Sequence, residues 1–443
     1  MLKQQLHKAM AVLAATAAVF GMGACGTSGK SSGDANHLVI TWWGNQQRND
    51  RTNKINDMFE QQNEGVTVDG QFSEMSDYFQ KLSTSAAGGN LPDVMQTGLG
   101  YLDQYEQNGL LLNLKPYIDD GTIDVSDVDP NIIESVTRDD GAVYAITNAM
   151  AAPALIYNKT LLDSAGITVP ERPTVAEFLD ICRQVYAKTG VKTNFRYYEY
   201  GELLEYFVKK DGTKLYDVKN NKLGVDSPEE LEQYFDVYET GIKEGWHVAP
   251  EVFADLKAGS VEQDPLVYGT DPARRSWCTF KYTSQFGAYQ TQANNNGDKL
   301  GLATWPSDNV KNSNYVYPSQ FWTVAKTSKN PKLAAQWINF YTNNVEANKV
   351  LLTDRGIPIS SKVASAIESD LSDSDKEAVA FINDVVKPES SPNSLQTPAA
   401  ATDVNTKVLL PIEESLLYGK IDAKTAAQQY FEQANEYLAK GAK

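Results

Sequence analysis

Apolar runs and their boundaries divide the chain into short buried strands and amphipathic helices. Leu38 to Trp42 is apolar and β-branched, too short for a helix, and bounded by Gly44, which predicts a buried strand. Two indoles stand at its end, followed by Gly44 and the polar set Asn45, Gln46, Gln47 and Arg48. Ile55, Met58 and Phe59 then recur at helical spacing. Val66 to Phe72 alternates like a strand, and Met75 to Ala87 carries Tyr78, Phe79 and Leu82 on one helical side. Gly88 to Pro92 stops that helix, Asp93 to Gln96 predicts a short buried strand, and Tyr101 to Leu111 a third helix. This β-α-β-α-β-α alternation is that of a mainly parallel sheet. An open α/β sheet builds its ligand crevice at the strand tips, where Trp43 and the amides stand. The competing reading of both indoles is that they are core.

Farther on, Gly141 to Asn148 leads to Pro153 to Lys159, apolar enough for a strand in a new sheet. Thr174 is placed to cap a helix from Val175 to Thr189, and Asp226-Ser227-Pro228 leads into one from Glu229 to Glu244. Trp246 to Ser276 mixes short helix and loop, and Phe321 to Ala325 predicts a strand. Pro331 to Asn344 is amphipathic, with Leu333, Trp337, Phe340 and Tyr341 on one face. Helices dominate the remainder, notably Lys376 to Val386 and Ala423 to Ala439, with no solenoid-type repeat.

The beginning of the chain bears on compartment. Lys3 and Lys8 precede an apolar run from Met10 to Phe20 that is too short to span a bilayer, the pattern of a signal peptide over residues 1–24. Met22-Gly23-Ala24-Cys25-Gly26 resembles the lipobox of bacterial lipoproteins, with Met22 where Leu is usual. That resemblance implies cleavage before Cys25, lipid on its sulfur, and a flexible tether over residues 25–37. A plain secretory signal with Cys25 incidental is the competing expectation.

The 443 residues suffice for two domains with real cores, and no segment after residue 24 is apolar enough to cross a membrane. A net charge of -17 argues against nucleic acid as a partner. Cys182 and Cys278 are the cysteines besides Cys25, and their spacing leaves open whether they pair. His7, His37 and His247 with two spare cysteines make no metal-ligand cluster, and no cofactor is expected.

Several stretches, taken in order, resemble the extracellular solute-binding protein family 1, receptors of ATP-driven carbohydrate importers. They are Ile40 to Gly44 with Arg48, Tyr78 to Leu82, Ala86 to Gln96, Tyr101-Leu102 with Tyr105, and Gly109 to Leu114. Val143 to Ile146, Tyr157-Asn158-Lys159, Ala165-Gly166-Ile167, the helix Ala334 to Tyr341 and Gly356-Ile357-Pro358 continue the match. The resemblance implies an α/β fold, periplasmic-binding-protein-like type II, with two lobes joined by a multi-crossover hinge around a ligand cleft. The first lobe takes residues 38–148 and 317–361, the second 150–314 and 362–443. Ligand binding would close the lobes. The implied function is a substrate-binding lipoprotein of an ABC importer that captures a sugar, an oligosaccharide by expectation, and delivers it to membrane permease subunits. The expected setting is the outer face of a Gram-positive cell membrane, with the protein a monomer held by its lipid anchor. Two departures bear on the pocket: Gly98 stands where such receptors often carry Asp, and Met75 where they often carry Trp.

A pyranose has apolar C–H faces and a belt of hydroxyls, which aromatic plates and planar amide or guanidinium groups can match. Trp43, Asn45, Gln46 and Arg48 are candidates at the first strand tip, with Tyr101 after a Gly-rich loop and Asn148 beside a crossover. Trp277, Ser284 and Gln285 resemble a family stretch that lines the site. Gln320, Phe321 and Trp322 precede a strand at another crossover, with one aromatic expected in the core, and Arg355 lies in a Gly-bounded loop. Arg48 and Arg355 have ion-pairing alternatives. The rival functions are the same fold taking a non-sugar solute such as a polyamine, and a secreted glycoside hydrolase. For the hydrolase no spaced acid pair stands at predicted strand tips, and no Gly-x-Ser-x-Gly elbow occurs. The chain is therefore expected to bind rather than to catalyse.

Overall fold

The first apolar run forms strand β1 (His37–Trp43), paired in parallel with β2 (Thr67–Ser73) on one side and β3 (Val94–Thr97) on the other. The computed structural model describes residues 36–138, 140–196, 201–254, 260–269, 271–391 and 397–441. Cys25, the expected signal peptide and nearly all of the expected tether lie outside the described residues. Helices packed on both faces of a parallel sheet bury its inner strands on both sides, which is why such a strand reads as a near-continuous apolar run. Helix α1 (Gln46–Gln62) follows β1 and buries Thr52, Ile55, Asn56 and Phe59, the spacing of one helical face. The Trp337 indole N–H donates to Asn56 Oδ1 at 3.0 Å, which satisfies a polar group inside that face.

Helix α2 (Met75–Ala87) follows β2, and α3 (Leu99–Gln107) follows β3. The third helix stops at Gln107 rather than Leu111. Gly109 takes φ 66° and the Leu110 N–H returns to the Tyr105 carbonyl, a glycine C-terminal stop. Strand β4 (Ile146–Ala151) ends this first pass, and after Ala152 the chain enters β5 (Pro153–Asn158), the centre of a second sheet. A small hairpin, β6 (Tyr216–Asp217) with β7 (Lys222–Leu223), precedes β8 (Cys278–Tyr282) and β9 (Leu300–Ala303), which flank β5 antiparallel. Strand β10 (Tyr317–Val324) then returns to the first sheet and lies antiparallel between β3 and β4. The first sheet thus has the order β2-β1-β3-β10-β4.

Each sheet has its own apolar cluster. The first draws on residues between Leu38 and Ile146 and between Phe321 and Ile359. The second draws on residues between Ala151 and Tyr315 and between Ala401 and Leu438. Between them in sequence, Val363, Ile367 and Leu371 pack with Val345 and Leu352, whereas Phe381 to Val386 pack on Ala152 and Ala154. The helix Val175–Thr189 begins with a reciprocal cap, in which the Thr174 hydroxyl accepts from Glu177 N–H and the Glu177 carboxylate accepts from Thr174 N–H. Cys182 and Cys278 are free thiols buried in the second cluster, and burial raises the pKa of both.

Three passes of the chain meet side by side where the two sheets join. Tyr317 and Pro318 pair with Ala151 and Met150, and Ile357 bridges to Met150 from the other side. The Met150 N–H donates to the Ile357 carbonyl at 2.7 Å, and the Ile357 N–H to the Met150 carbonyl at 2.8 Å. Gly356 permits that approach: it takes φ 118°, and a Cβ there would lie 2.3 Å from the Met150 carbonyl oxygen. Gly356→Ala is therefore expected to cost at least about 2 kcal/mol, through left-handed strain plus a backbone clash. Equilibrium denaturation checks this, and an unchanged midpoint would show that the seam yields freely.

Candidate functional site

The strand ends and the crossings enclose a cleft of about 1820 Å³, larger than the ~300–1,000 Å³ of pockets for drug-sized ligands. Its first wall is aromatic. Trp43 ends β1 only 7% exposed, with its ring centre 5.2 Å from Tyr78 and 5.1 Å from Phe79. Phe79 and Tyr101 stack at 3.6 Å and 3°. Trp43, Phe79 and Tyr101 all line the cleft, whereas Tyr78 turns its hydroxyl inward to the Gln96 carbonyl at 2.8 Å. Gly98 and Met75, the two departures from the family pattern, also lie on this wall.

The second wall carries another aromatic pair. Tyr282, at the end of β8, and Tyr317, at the start of β10, stack with centres 4.8 Å apart at 28°. Tyr216 of the small hairpin, Ser284 and Gln285 line the same side, and Gln320 lines the floor near the crossings. The Gln320 Oε1 is buried with no hydrogen-bond partner among the described residues. Hydrogen bonds already cross the opening: Thr397 N–H donates to Asp103 Oδ2 on α3 at 2.9 Å, and the Thr353 hydroxyl to Asp375 Oδ1 at 2.5 Å.

Of the residues expected in the site, Trp43, Asn45, Arg48, Tyr101, Ser284, Gln285 and Gln320 stand on the cleft. Asn45 is also the cap of α1, its Oδ1 accepting from Arg48 N–H at 2.9 Å. The others stand elsewhere. Gln46 is exposed on α1 and its amide donates to Asp50 at 2.7 Å, while Gln47 takes the cleft position. Trp277 is 0% exposed, packed on Phe178, with its indole N–H on Thr193 Oγ1 at 2.8 Å, so it belongs to the second core. Phe321 and Trp322 lie inside β10 between two strands, and Trp322 packs edge-on against Trp337 at 4.8 Å, so both aromatics are core. Asn148 is buried within β4, off the cleft lining.

Arg355 is 2% exposed and holds the fold rather than a ligand. It donates to Gln96 Oε1 at 3.0 Å, Thr52 Oγ1 at 2.9 Å and Asp354 Oδ2 at 3.2 Å. Arg48 lines the cleft but is tied to the same carboxylate, 3.0 Å from Asp354 Oδ2. Burial pushes the Asp354 carboxyl up, yet Arg48, Arg355 and Arg51 outweigh it and hold the pKa below the usual value. Phe79, Tyr216, Tyr282 and Tyr317 were not foreseen on the cleft. Phe79 and its neighbour Tyr78 share a helix side, and spacing alone does not separate the one that faces the opening from the one that does not.

Carboxylates crowd the lining: Glu74, Glu202, Glu205, Glu262, Asp298, Asp354, Asp370, Asp373, Asp375 and Glu377. Among the described residues no group of three or more His, Cys, Asp or Glu side chains is placed to hold a metal. Glu205, beside Tyr216 and Tyr317, is pushed up to about 7 by burial, with Lys209 and Lys214 drawing it back only in part. Its folded value stands above the ordinary 4.5, so its stabilising share is complete below 4.5 and is lost as pH rises through about 7. Glu205→Gln is expected to match the wild type in acid and to melt higher at about pH 8. Thermal melts across that range check this, and parallel pH profiles for the two proteins would refute it.

Residues 54–380 match the family model described as bacterial extracellular solute-binding protein. The maltodextrin-binding protein MdxE of Bacillus subtilis is 26% identical over 355 residues, covering 77% of this chain and 78% of that protein. An extracellular solute-binding protein family 1 structure from Alicyclobacillus acidocaldarius is similar at 28% identity and a TM-score of 0.70, over 91% of this chain and 98% of that one. A periplasmic oligogalacturonide binding protein from Yersinia enterocolitica, in complex with saturated digalacturonic acid, aligns at a TM-score of 0.76 over 92% of this chain and all of that one. At 22% identity it speaks for the fold alone. A family match spanning most of the chain, on a fold shared with these structures, shows that the protein belongs to the bacterial extracellular solute-binding proteins.

Proposed function

We propose that this protein captures a saccharide outside the cell and presents it to the permease of an ATP-driven importer, with the two lobes closing on the ligand. The observation that carries the reading is the pairing of aromatic plates with polar groups across one cleft. Phe79 and Tyr101 stack on one wall and Tyr282 and Tyr317 on the other, with Asn45, Gln285 and Gln320 between. Rings cover the apolar faces of a sugar, and amides that both donate and accept suit its hydroxyls. The volume of the cleft suits several linked rings rather than one. The names of a maltodextrin-binding relative and of an oligogalacturonide-binding neighbour support a saccharide ligand. Cleavage before Cys25 and lipidation of its sulfur would keep the receptor at the membrane beside its transporter. A free polyamine is the second reading, favoured by the carboxylates around the tyrosines.

Thermal melts with neutral oligosaccharides, amino sugars, uronates, polyamines and amino acids test the proposal, because a ligand of the folded state raises the melting temperature as its concentration exceeds Kd. A rise with a saccharide supports it; a rise confined to polyamines would replace it with the second reading. Tyr101→Ala is expected to weaken the saccharide by about tenfold or more with little change in the unliganded melt. Trp43→Ala is a poorer probe, because the ring is also core and its loss would cost about 3–5 kcal/mol of stability. Titration calorimetry checks the Tyr101 variant, and wild-type affinity would remove that ring from the site.

A further inference from the structure

Charge separates saccharides into classes that this cleft would treat differently. Among the described residues ten lining side chains are carboxylates, against three cations, Arg48, Arg51 and Lys299; of the ten, Asp298 is paired with Arg275 at 3.1 Å. The arginines are engaged: Arg48 lies 3.0 Å from Asp354, and Arg51 donates to the Leu351 carbonyl at 2.9 Å with Asp354 at 4.0 Å. Lys299 stands within electrostatic reach of Glu377 and lowers the pKa that burial raises there. On the opposite wall Glu202 and Glu205 sit beside Tyr216 and Tyr317, and their charge adds to the burial that raises the pKa of both phenols. Lys209 and Lys214, which offset the Glu205 charge, are not among the lining residues.

A carboxylate or phosphate ligand needs an uncommitted guanidinium fork or bare helix N–H groups. Helix α3 does begin at the cleft through Gly98 with no side-chain cap, and its N–H groups suit hydroxyl oxygens as well as anions. Against those donors stands the surplus of carboxylates in a groove whose low-dielectric walls focus their field, with screening only over about 8–10 Å. We infer that the cleft admits neutral or amine-bearing saccharides and rejects those carrying carboxylate, sulfate or phosphate groups. This inference rests on the saccharide reading above. It gives the chain a ligand without the negative charge of the digalacturonic acid bound by the Yersinia protein whose fold it shares.

The test titrates the full mature chain calorimetrically with neutral, amine-bearing and uronate oligosaccharides. The best binder is then compared with its own derivative oxidised to a carboxylate at C6. The expected result is a neutral or amine-bearing best binder whose carboxylate derivative binds at least about a hundredfold more weakly at low salt. That gap should narrow as salt is raised and narrow further in the Glu202→Gln, Glu205→Gln double variant. A uronate as best binder, or a carboxylate derivative of equal affinity, overturns the inference and leaves the saccharide reading standing. A gap indifferent to both salt and the double variant also overturns it, since the rejection would then be steric. Failure of every saccharide overturns the saccharide reading, and the charge inference with it.

Discussion

The backbone seam at Met150 is the constraint on which the arrangement depends. Three separate passes of the chain lie against one another there, joined by main-chain hydrogen bonds to and from Met150 and by the pairing of β4 with β10. Main-chain bonds of this kind are indifferent to side-chain identity, so the demand on sequence concentrates in the residue that must let the strands approach, Gly356. The seam also sets the floor of the cleft, because Ala151, Tyr317 and Gln320 are at once its members and lining residues. A change in the angle between the passes would move the two aromatic walls relative to each other. That is the hinge geometry a closing receptor requires.

Around the seam, two kinds of polar group have separate tasks. Asp354 gathers Arg48, Arg51 and Arg355, with Arg355 reaching on to Gln96 and Thr52, which ties the return loop to α1 and the first sheet. Buried ions of this kind are costly to desolvate and hold their place through mutual satisfaction. On the opposite wall burial raises the pKa of Glu205, and Lys209 and Lys214 draw it back only in part. The cations of the first wall thus serve the architecture, with Arg48 and Arg355 both held on Asp354.

Much of the fold was legible in the sequence, because burial imposes period and punctuation. The parallel run from β1 to β3, the cap at Thr174, and the helices at Val175 and Pro331 follow from apolar spacing, turn residues and caps. Strands β8 and β9 went unread, since they are short and sit among Gly-, Pro- and Asp-rich loops. The site was legible at strand tips and less so elsewhere. Trp43 and Tyr101 follow from topology, but Trp277 and Trp322 look the same in sequence and lie in cores. Arg355 likewise has the chemistry of a ligand donor, and only its bonds to Gln96, Thr52 and Asp354 show that its donors are committed. Orientation of a side chain around its strand or helix is a tertiary property that spacing narrows without deciding.

The two sealed thiols have a practical corollary. Cys182 and Cys278 are out of reach of solvent, and burial suppresses the thiolate form that alkylating reagents and oxidants attack. Among the described residues no native sulfhydryl would compete with a cysteine installed on the rim of the groove. An environment-sensitive dye attached at such a position would report occupancy directly, so the scaffold lends itself to conversion into an optical sensor without prior removal of these two cysteines.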